Sequence, residues 1–331
     1  MPFHILTAHD VRAALPMPDA IESMRKAFGM LSSGQADVPP RTAIEMPKHD
    51  AVTLFMPAYL HSGNRLGAKI VSVFPNNINL ELPRIHGIVI LINAATGQPE
   101  ALLEGTTLTA IRTGAASGLA TDLLARRDAS TVAIIGSGAQ ARTQLEAVCC
   151  VRQIKSAWVY SPNRAHAEQF AAEAASRKDT PVEIEIASSA HEAVSQADII
   201  CTATTSSTPV IGPGDVKPGA HVNGIGSYTP AMYEVDPELV KQMRVVVDQR
   251  QAALAEAGEV IACIQQGWLR ENELIELGDI INGTRPGRIG GDQMTFFKSV
   301  GVAVQDVAAA QQALTTARQK KLGTAIELDK Q

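Results

Sequence analysis

Two kinds of hydrophobic spacing divide the chain. In the first part, a helical pattern near Ala14–Ser32 gives way to short strand-like runs. These are "RTAIEM", "AVTLFMPAYL", "RLGAKIVSVFP" and "HGIVILINAATGQPEALL". Turn-forming "HSGN" and "NAATGQP" separate them, which predicts an antiparallel sheet. Gly34 stands where a helix C-cap belongs. A long helix follows over Thr106–Arg127. Its middle, Thr113-Gly114-Ala115-Ala116-Ser117-Gly118, is made of small residues that let a neighbour approach closely.

From Ser130 onward strand and helix alternate. "TVAIIGSG", "SAWVYSP", "VEIEIAS", "DIICTATTS", "HVNGIGS" and "RVVVDQ" read as strands. "AQARTQLEAVCCV", "NRAHAEQFAAEAASR" and "SAHEAVSQA" read as helices. Apolar, β-branched strands alternating with helices predict a parallel, doubly wound sheet. The tail from "MTFFKSVGVAVQD" to "ARQKK" reads as one helical stretch. The fold class expected is therefore α/β, a Rossmann domain beside an α+β domain.

Length and composition support this division. The chain has 331 residues, 45% of them apolar, enough for two cores. A net charge of -5, with no long basic run, argues against a nucleic-acid partner. The longest apolar stretch, "GIVILINAA", is too short to span a bilayer. The start, "MPFHILTAHD", does not read as a signal peptide. Cys149, Cys150, Cys201 and Cys263 lack CxxC spacing, and the histidines form no ligand pair. The expectation is a cytoplasmic protein with reduced thiols and no metal.

The chemistry concentrates in a few places. "VAIIGSGAQAR" is an apolar strand running into Gly136-Ser137-Gly138-Ala139-Gln140-Ala141 and then a helix, the setting of a dinucleotide turn. Gly136 permits the turn, Gly138 admits a pyrophosphate to the backbone, and Ala141 allows close helix–strand packing. The helix N-terminus offers free N–H groups. The next strand ends Tyr160-Ser161-Pro162-Asn163-Arg164, with no carboxylate for a ribose 2′-hydroxyl. Ser161, Asn163 and Arg164 suit a 2′-phosphate instead, so NADPH is expected, with NADH as the alternative. "CTATTSST" ends a later strand, so Thr202 and Thr204 are candidates to line the cofactor.

Charged residues on apolar faces form a second group. Strand alternation puts Lys69 beside Val71 and Val73. Arg112 shares a helical stripe with Leu108, Ala115 and Leu119. Each is either paired structurally or functional. Arg41, at a strand entry, could join them on a carboxylate. His86 is a candidate acid or base, or a structural histidine.

At these residues the chain resembles the ornithine cyclodeaminase/mu-crystallin family. The carrying segments are "PRTAIEM", "LGAKIVSVFP", "TTLTAIRTGAASGLATDLLARRD", "VAIIGSGAQA", "VNGIGSYTPAMYEVD" and "MTFFKSVGVAVQD". The resemblance implies a substrate-binding and dimerisation domain over residues 1–112 with 310–331, a Rossmann domain over 113–309, and a homodimer. It implies that Arg41, Lys69 and Arg112 act in the active site and hold an imino- or amino-acid carboxylate; His86 and Val300 are further candidates on the substrate side. It places the glycine loop, Thr113, the Thr202-Ala203-Thr204 segment and the Ser299-Val300 step at the cofactor; Gly226 and Ser227 are further cofactor candidates. Cyclodeaminases carry an acid in the segment matching "GIGSYTP", where this chain has Tyr228. The activity implied is therefore reduction of a cyclic 2-imino acid, such as Δ1-pyrroline-2-carboxylate or Δ1-piperideine-2-carboxylate, to an L-amino acid such as L-proline. A cyclodeaminase or hydroxyproline dehydratase-type lyase, an alanine dehydrogenase-like enzyme and a non-catalytic binding protein are the alternatives.

Overall fold

The computed structural model describes residues 2–177, 180 and 183–328. It divides into two compact units, Met1–Arg112 with Val302–Gln331, and Thr113–Gly301.

The first unit opens with β1 (Phe3–Leu6), α1 (Ala8–Ala14) and α2 (Met17–Ser32). The single helix expected near Ala14–Ser32 begins at Met17, because Pro16 precedes it and α1 ends at Ala14. Next come β2 (Ala36–Asp37), β3 (Thr42–Met46), β4 (Ala51–Leu60), β5 (Arg65–Val73), β6 (Ile85–Asn93) and β7 (Pro99–Glu104). Strands β4 to β7 pair antiparallel, as their alternation predicts. The sheet as a whole is mixed, because β1 joins β7 in parallel. The β6–β7 turn is set by Asn93, whose side chain accepts from the Ala95 and Thr96 N–H groups, and by Gly97 at φ 75°.

Helix α3 (Gly105–Leu124) carries the chain across the division, which falls between Arg112 and Thr113. The second unit then builds β8 (Thr131–Ile135), α4 (Ala139–Val151), β9 (Ser156–Tyr160), α5 (Arg164–Ala175), β10 (Ile184–Ile186) and α6 (Ala190–Val194). It continues through β11 (Ile199–Thr202), β12 (His221–Gly224), α7 (Pro237–Val240), β13 (Arg244–Val247), α8 (Arg250–Glu256) and α9 (Gly258–Gln265). Last are β14 (Ile275–Glu276), α10 (Leu277–Ile281) and β15 (Thr295–Lys298). The sheet order is β10-β9-β8-β11-β12-β15-β13-β14, parallel throughout. The chain reverses its direction of winding between β8 and β11, so that point is a topological switch.

The tail corrects one expectation. It is not one helix. "TFFK" forms β15, inserted between β12 and β13 with Phe296 and Phe297 fully buried. Gly301, at φ 82°, then turns the chain into α11 (Ala303–Lys320), and β16 (Thr324–Ile326) closes on β1. The apolar run "MTFFKSVGVAV" hides this break, since a buried parallel strand and a buried helix share the same hydrophobic density. The second division consequently falls at 301/302 rather than 309/310.

Helix α11 returns to the first unit and packs on β4, β5, β6 and α2. Gly67 makes this close approach possible. A Cβ there would lie 2.6 Å from the Ile90 carbonyl oxygen and 3.2 Å from the Val307 side chain. No described helix is long and apolar enough to cross a membrane.

Candidate functional site

Cross-strand register places Lys69 in a row running Met56, Lys69, Val89, Leu103 across β4 to β7. The whole row is buried, and Lys69 itself is only 3% exposed. A lone ammonium in such a row would be costly. The first turn of α11 supplies its partner. Asp306 is fully buried and its Oδ2 lies 2.9 Å from the Lys69 Nζ. The Arg112 Nε, from α3, donates to Asp306 Oδ1 at 2.9 Å. The Arg112 Nη1 donates to Gln305 Oε1, also at 2.9 Å, and Gln305 accepts from the Val302 N–H as well. Among the described residues the Arg112 Nη2 makes no hydrogen bond to the protein.

The electrostatics follow from this geometry. Burial pushes the Lys69 ammonium down to about 8; Asp306 opposes that shift, while Arg112 and the half-buried Arg41 add to it. Burial also works against ionisation of Asp306, but Arg112 and Lys69 outweigh it and hold the carboxyl below its ordinary value. Among the described residues the cluster thus holds two buried cations, Lys69 and Arg112, and one buried anion, Asp306. The cluster carries spare positive charge, which suits an anionic ligand.

His86 is exposed and lies elsewhere. It pairs with Ser72, three residues along β5 from Lys69, and residues an odd number apart point to opposite faces. Lys69 faces α11, whereas His86 lies on the face bearing Phe55 and Ile88. The sheet therefore does not bring His86 to the Lys69 cluster.

In the second unit the glycine turn lies where the sequence pattern places it, at the end of β8. Gly136 has φ 105°, and a Cβ there would collide with the Ala203 carbonyl oxygen. That contact brings the Thr202-Ala203-Thr204 segment beside the turn at the switch point. A Cβ on Gly138 would meet nothing within 4 Å. Gly138 also caps α4 without any side-chain hydrogen bond. Open space beside an uncapped helix N-terminus fits a pyrophosphate. Arg142 braces the turn, donating to the Ser137 and Gly138 carbonyl oxygens at 2.9 and 3.0 Å while pairing with Glu173. Ala139 and Gln140 open α4. Thr113, the first residue of this unit, is buried on α3.

Three buried carboxylates, Glu234, Glu259 and Asp248, shape the neighbouring loops, and sequence reasoning missed all of them. Glu234 accepts from the backbone N–H groups of Thr204, Gly226 and Ser227, tying the loop after β11 to the loop after β12. Burial raises its pKa, with Lys298 opposing. Ser227 points inward, donating to Glu259 at 2.8 Å, and Lys298 donates to both its hydroxyl and its carbonyl oxygen. Asp248 accepts from the Ser299 hydroxyl and from the Val300 and Gly301 N–H groups, fixing the turn after β15. Ser227 and Ser299 are thus committed to internal bonds.

The end of β9 keeps its residues at the surface. Asn163 caps α5 by accepting from the His166 N–H. Exposed Arg164 pairs with Glu168 at 3.0 Å, and Ser161 is half-buried.

A parallel doubly wound sheet, a glycine turn beside an open helix N-terminus and a separate cationic cluster define an NAD(P)-dependent enzyme. The chain belongs to the ornithine cyclodeaminase/mu-crystallin family, which matches residues 3–321. It is 37% identical to a Delta(1)-pyrroline-2-carboxylate reductase of Bacillus cereus over 98% of this chain and 99% of that one. Among solved structures it resembles the Thermococcus litoralis Delta(1)-pyrroline-2-carboxylate reductase in complex with NADH and L-proline. The TM-score is 0.92 and the identity 41%, over 97% of this chain and 99% of that one. An archaeal alanine dehydrogenase dimer with bound NAD superposes with a TM-score of 0.91 at 32% identity, over 99% of this chain and 100% of that one.

Proposed function

We propose that the chain reduces a cyclic 2-imino acid, Δ1-pyrroline-2-carboxylate or its six-membered homologue, to the L-amino acid, with NADPH preferred over NADH. The observation that carries this reading is the buried Lys69–Asp306–Arg112 cluster with its excess positive charge. In this reading Arg112, through its remaining Nη2 edge, and Arg41 hold the substrate carboxylate. The bound nicotinamide supplies the hydride that the imine carbon accepts. Lys69 supplies the proton that the ring nitrogen takes up. An ammonium titrating near 8 is mostly protonated at neutral pH yet parts with its proton more readily than an ordinary lysine. That leaves no proton-transfer role for His86. Val300, at the braced turn after β15, is assigned to the substrate side.

The NADPH preference rests on the end of β9, where no carboxylate stands. Arg164 would exchange Glu168 for the 2′-phosphate, flanked by Ser161 and Asn163. Thr113, Thr202, Ala203, Thr204 and Gly226 are assigned to the cofactor together with residues 136–140. Ser227 and Ser299 would contribute backbone only, since their hydroxyls are occupied.

The chain is read as a homodimer. The sheet face opposite α11 exposes Phe55 (36%) and Ile88 (41%), with Ile44 also on it, an apolar surface suited to a second copy. The archaeal relative is described as a dimer. All four cysteines are free, which accords with the cytoplasm.

The deciding experiment follows NADPH and NADH oxidation with pyrroline-, piperideine- and open-chain 2-imino acids. Preferred turnover of a cyclic substrate supports the reading. Preferred turnover of the open-chain imine of pyruvate would replace it with an alanine dehydrogenase-type activity. Conversion of ornithine or hydroxyproline without net cofactor consumption would replace it with a lyase.

A further inference from the structure

Among the described residues Asp306 forms an ion pair with both cations of the cluster. It stands fully buried in the first turn of α11, with Lys69 Nζ at 2.9 Å on one oxygen and Arg112 Nε at 2.9 Å on the other. Beside it, Gln305 accepts from Arg112 Nη1, so two adjacent residues hold the guanidinium at two of its three nitrogens. A guanidinium is planar, and fixing Nε and Nη1 also fixes the direction of Nη2.

We propose that Asp306, with Gln305, is the positioning pair of this site. It presents the Lys69 ammonium and the Arg112 Nη2 edge to a carboxylate-bearing substrate before that substrate arrives. This rests on the reading of Lys69 and Arg112 as substrate-binding residues.

Three consequences follow. Without Asp306 the buried Lys69 and Arg112 would repel each other and lose their orientation. Without Gln305 only the guanidinium loses a constraint. The charged groups acting on Lys69 among the described residues are Asp306 from α11, Arg112 from α3 and Arg41 at the entry to β3. Asp306 alone favours the ammonium, so removing it lowers the titration of Lys69.

The test uses the full chain with its lysines 13C-labelled at Cε. The Lys69 signal is identified by its loss in Lys69→Met and followed with pH. In Asp306→Asn its midpoint should fall by about one unit or more, whereas Asp306→Glu, which keeps the charge, should stay near the native value. Gln305→Met should leave the titration in place and weaken binding of pyrrole-2-carboxylate, measured by calorimetry, by about tenfold. If Asp306→Asn does not fold, the Glu and Gln305→Met variants carry the test. A displaced ammonium in Asp306→Glu should lower kcat about tenfold at an unchanged titration midpoint. A native midpoint in Asp306→Asn, or native affinity in Gln305→Met, would overturn the proposal. Should the titration move while the native protein turns over no imino acid, the functional reading fails and the hold of Asp306 on Lys69 stands. Turnover by the native protein with an unmoved titration overturns only the positioning role.

Discussion

The two candidate sites bind charge by opposite means. In the first unit, charged side chains are buried among apolar rows and steadied by an internal counter-ion, Asp306. In the second, the turn after β8 offers backbone N–H groups and the absence of side chains, with Gly136 held against Ala203 and Gly138 open to space. A site made of buried charges is vulnerable to losing one atom group, because the partner is left uncompensated. A site made of backbone is vulnerable to gaining one, because there is no room or no allowed conformation for it. The chemistry assigned to each fits. A substrate that must be protonated at one atom needs a titratable side chain, whereas a pyrophosphate needs only N–H groups at a helix end.

The largest effect should come from Lys69→Met, a residue of similar volume. Imine reduction should fall by about a thousandfold, with NADPH binding, followed by cofactor fluorescence, nearly native. Equal loss of both would mean that the two sites are not separable. Gly136→Ala should do the converse. The strained φ and the collision with Ala203 should cost about 1–3 kcal/mol in urea unfolding and weaken NADPH, with little effect on binding of pyrrole-2-carboxylate.

A pH series sharpens the contrast. If Lys69 must be protonated, kcat falls as pH rises through about 8, whereas cofactor affinity does not follow that limb. Stability runs the other way. The folded protein disfavours the Lys69 ammonium, so the penalty is fully present below pH 8. It is relieved as pH rises from there toward the ordinary lysine value of 10.5. Urea midpoints of native protein and Lys69→Met should differ accordingly; a constant difference across that range would contradict the assignment. The smallest effect is expected for Arg164→Ala, because the residue is exposed and already paired with Glu168. The NADPH-to-NADH ratio of kcat/KM should drop several-fold with the imino-acid KM unchanged. An unchanged ratio would remove Arg164 from cofactor choice.

Local pattern made much of this legible. The helix "AQARTQLEAVCCV" and the strand "AVTLFMPAYL" match α4 and β4 residue for residue, because both are strongly periodic and end at clear breaks. The tail was not legible, since a buried strand and a buried helix are equally apolar and only Gly301 marks the change. Lys69 and Arg112 stood out as cations on apolar faces. Asp306 did not, because an acid in the first turn of a helix is ordinary and nothing local reveals its partners.

The sequence by itself therefore determined the βαβ unit, the glycine turn and the two misplaced cations, all of which depend on neighbours a few residues apart. Only the tertiary structure decided how those cations are paired. Arg112 and Asp306 lie 194 positions apart, and the approach of α11 to β5 across Gly67 brings Asp306 to Lys69. It also separated His86 from Lys69. The parity of two positions on adjacent strands depends on register, and register is set by the whole sheet rather than by either strand alone.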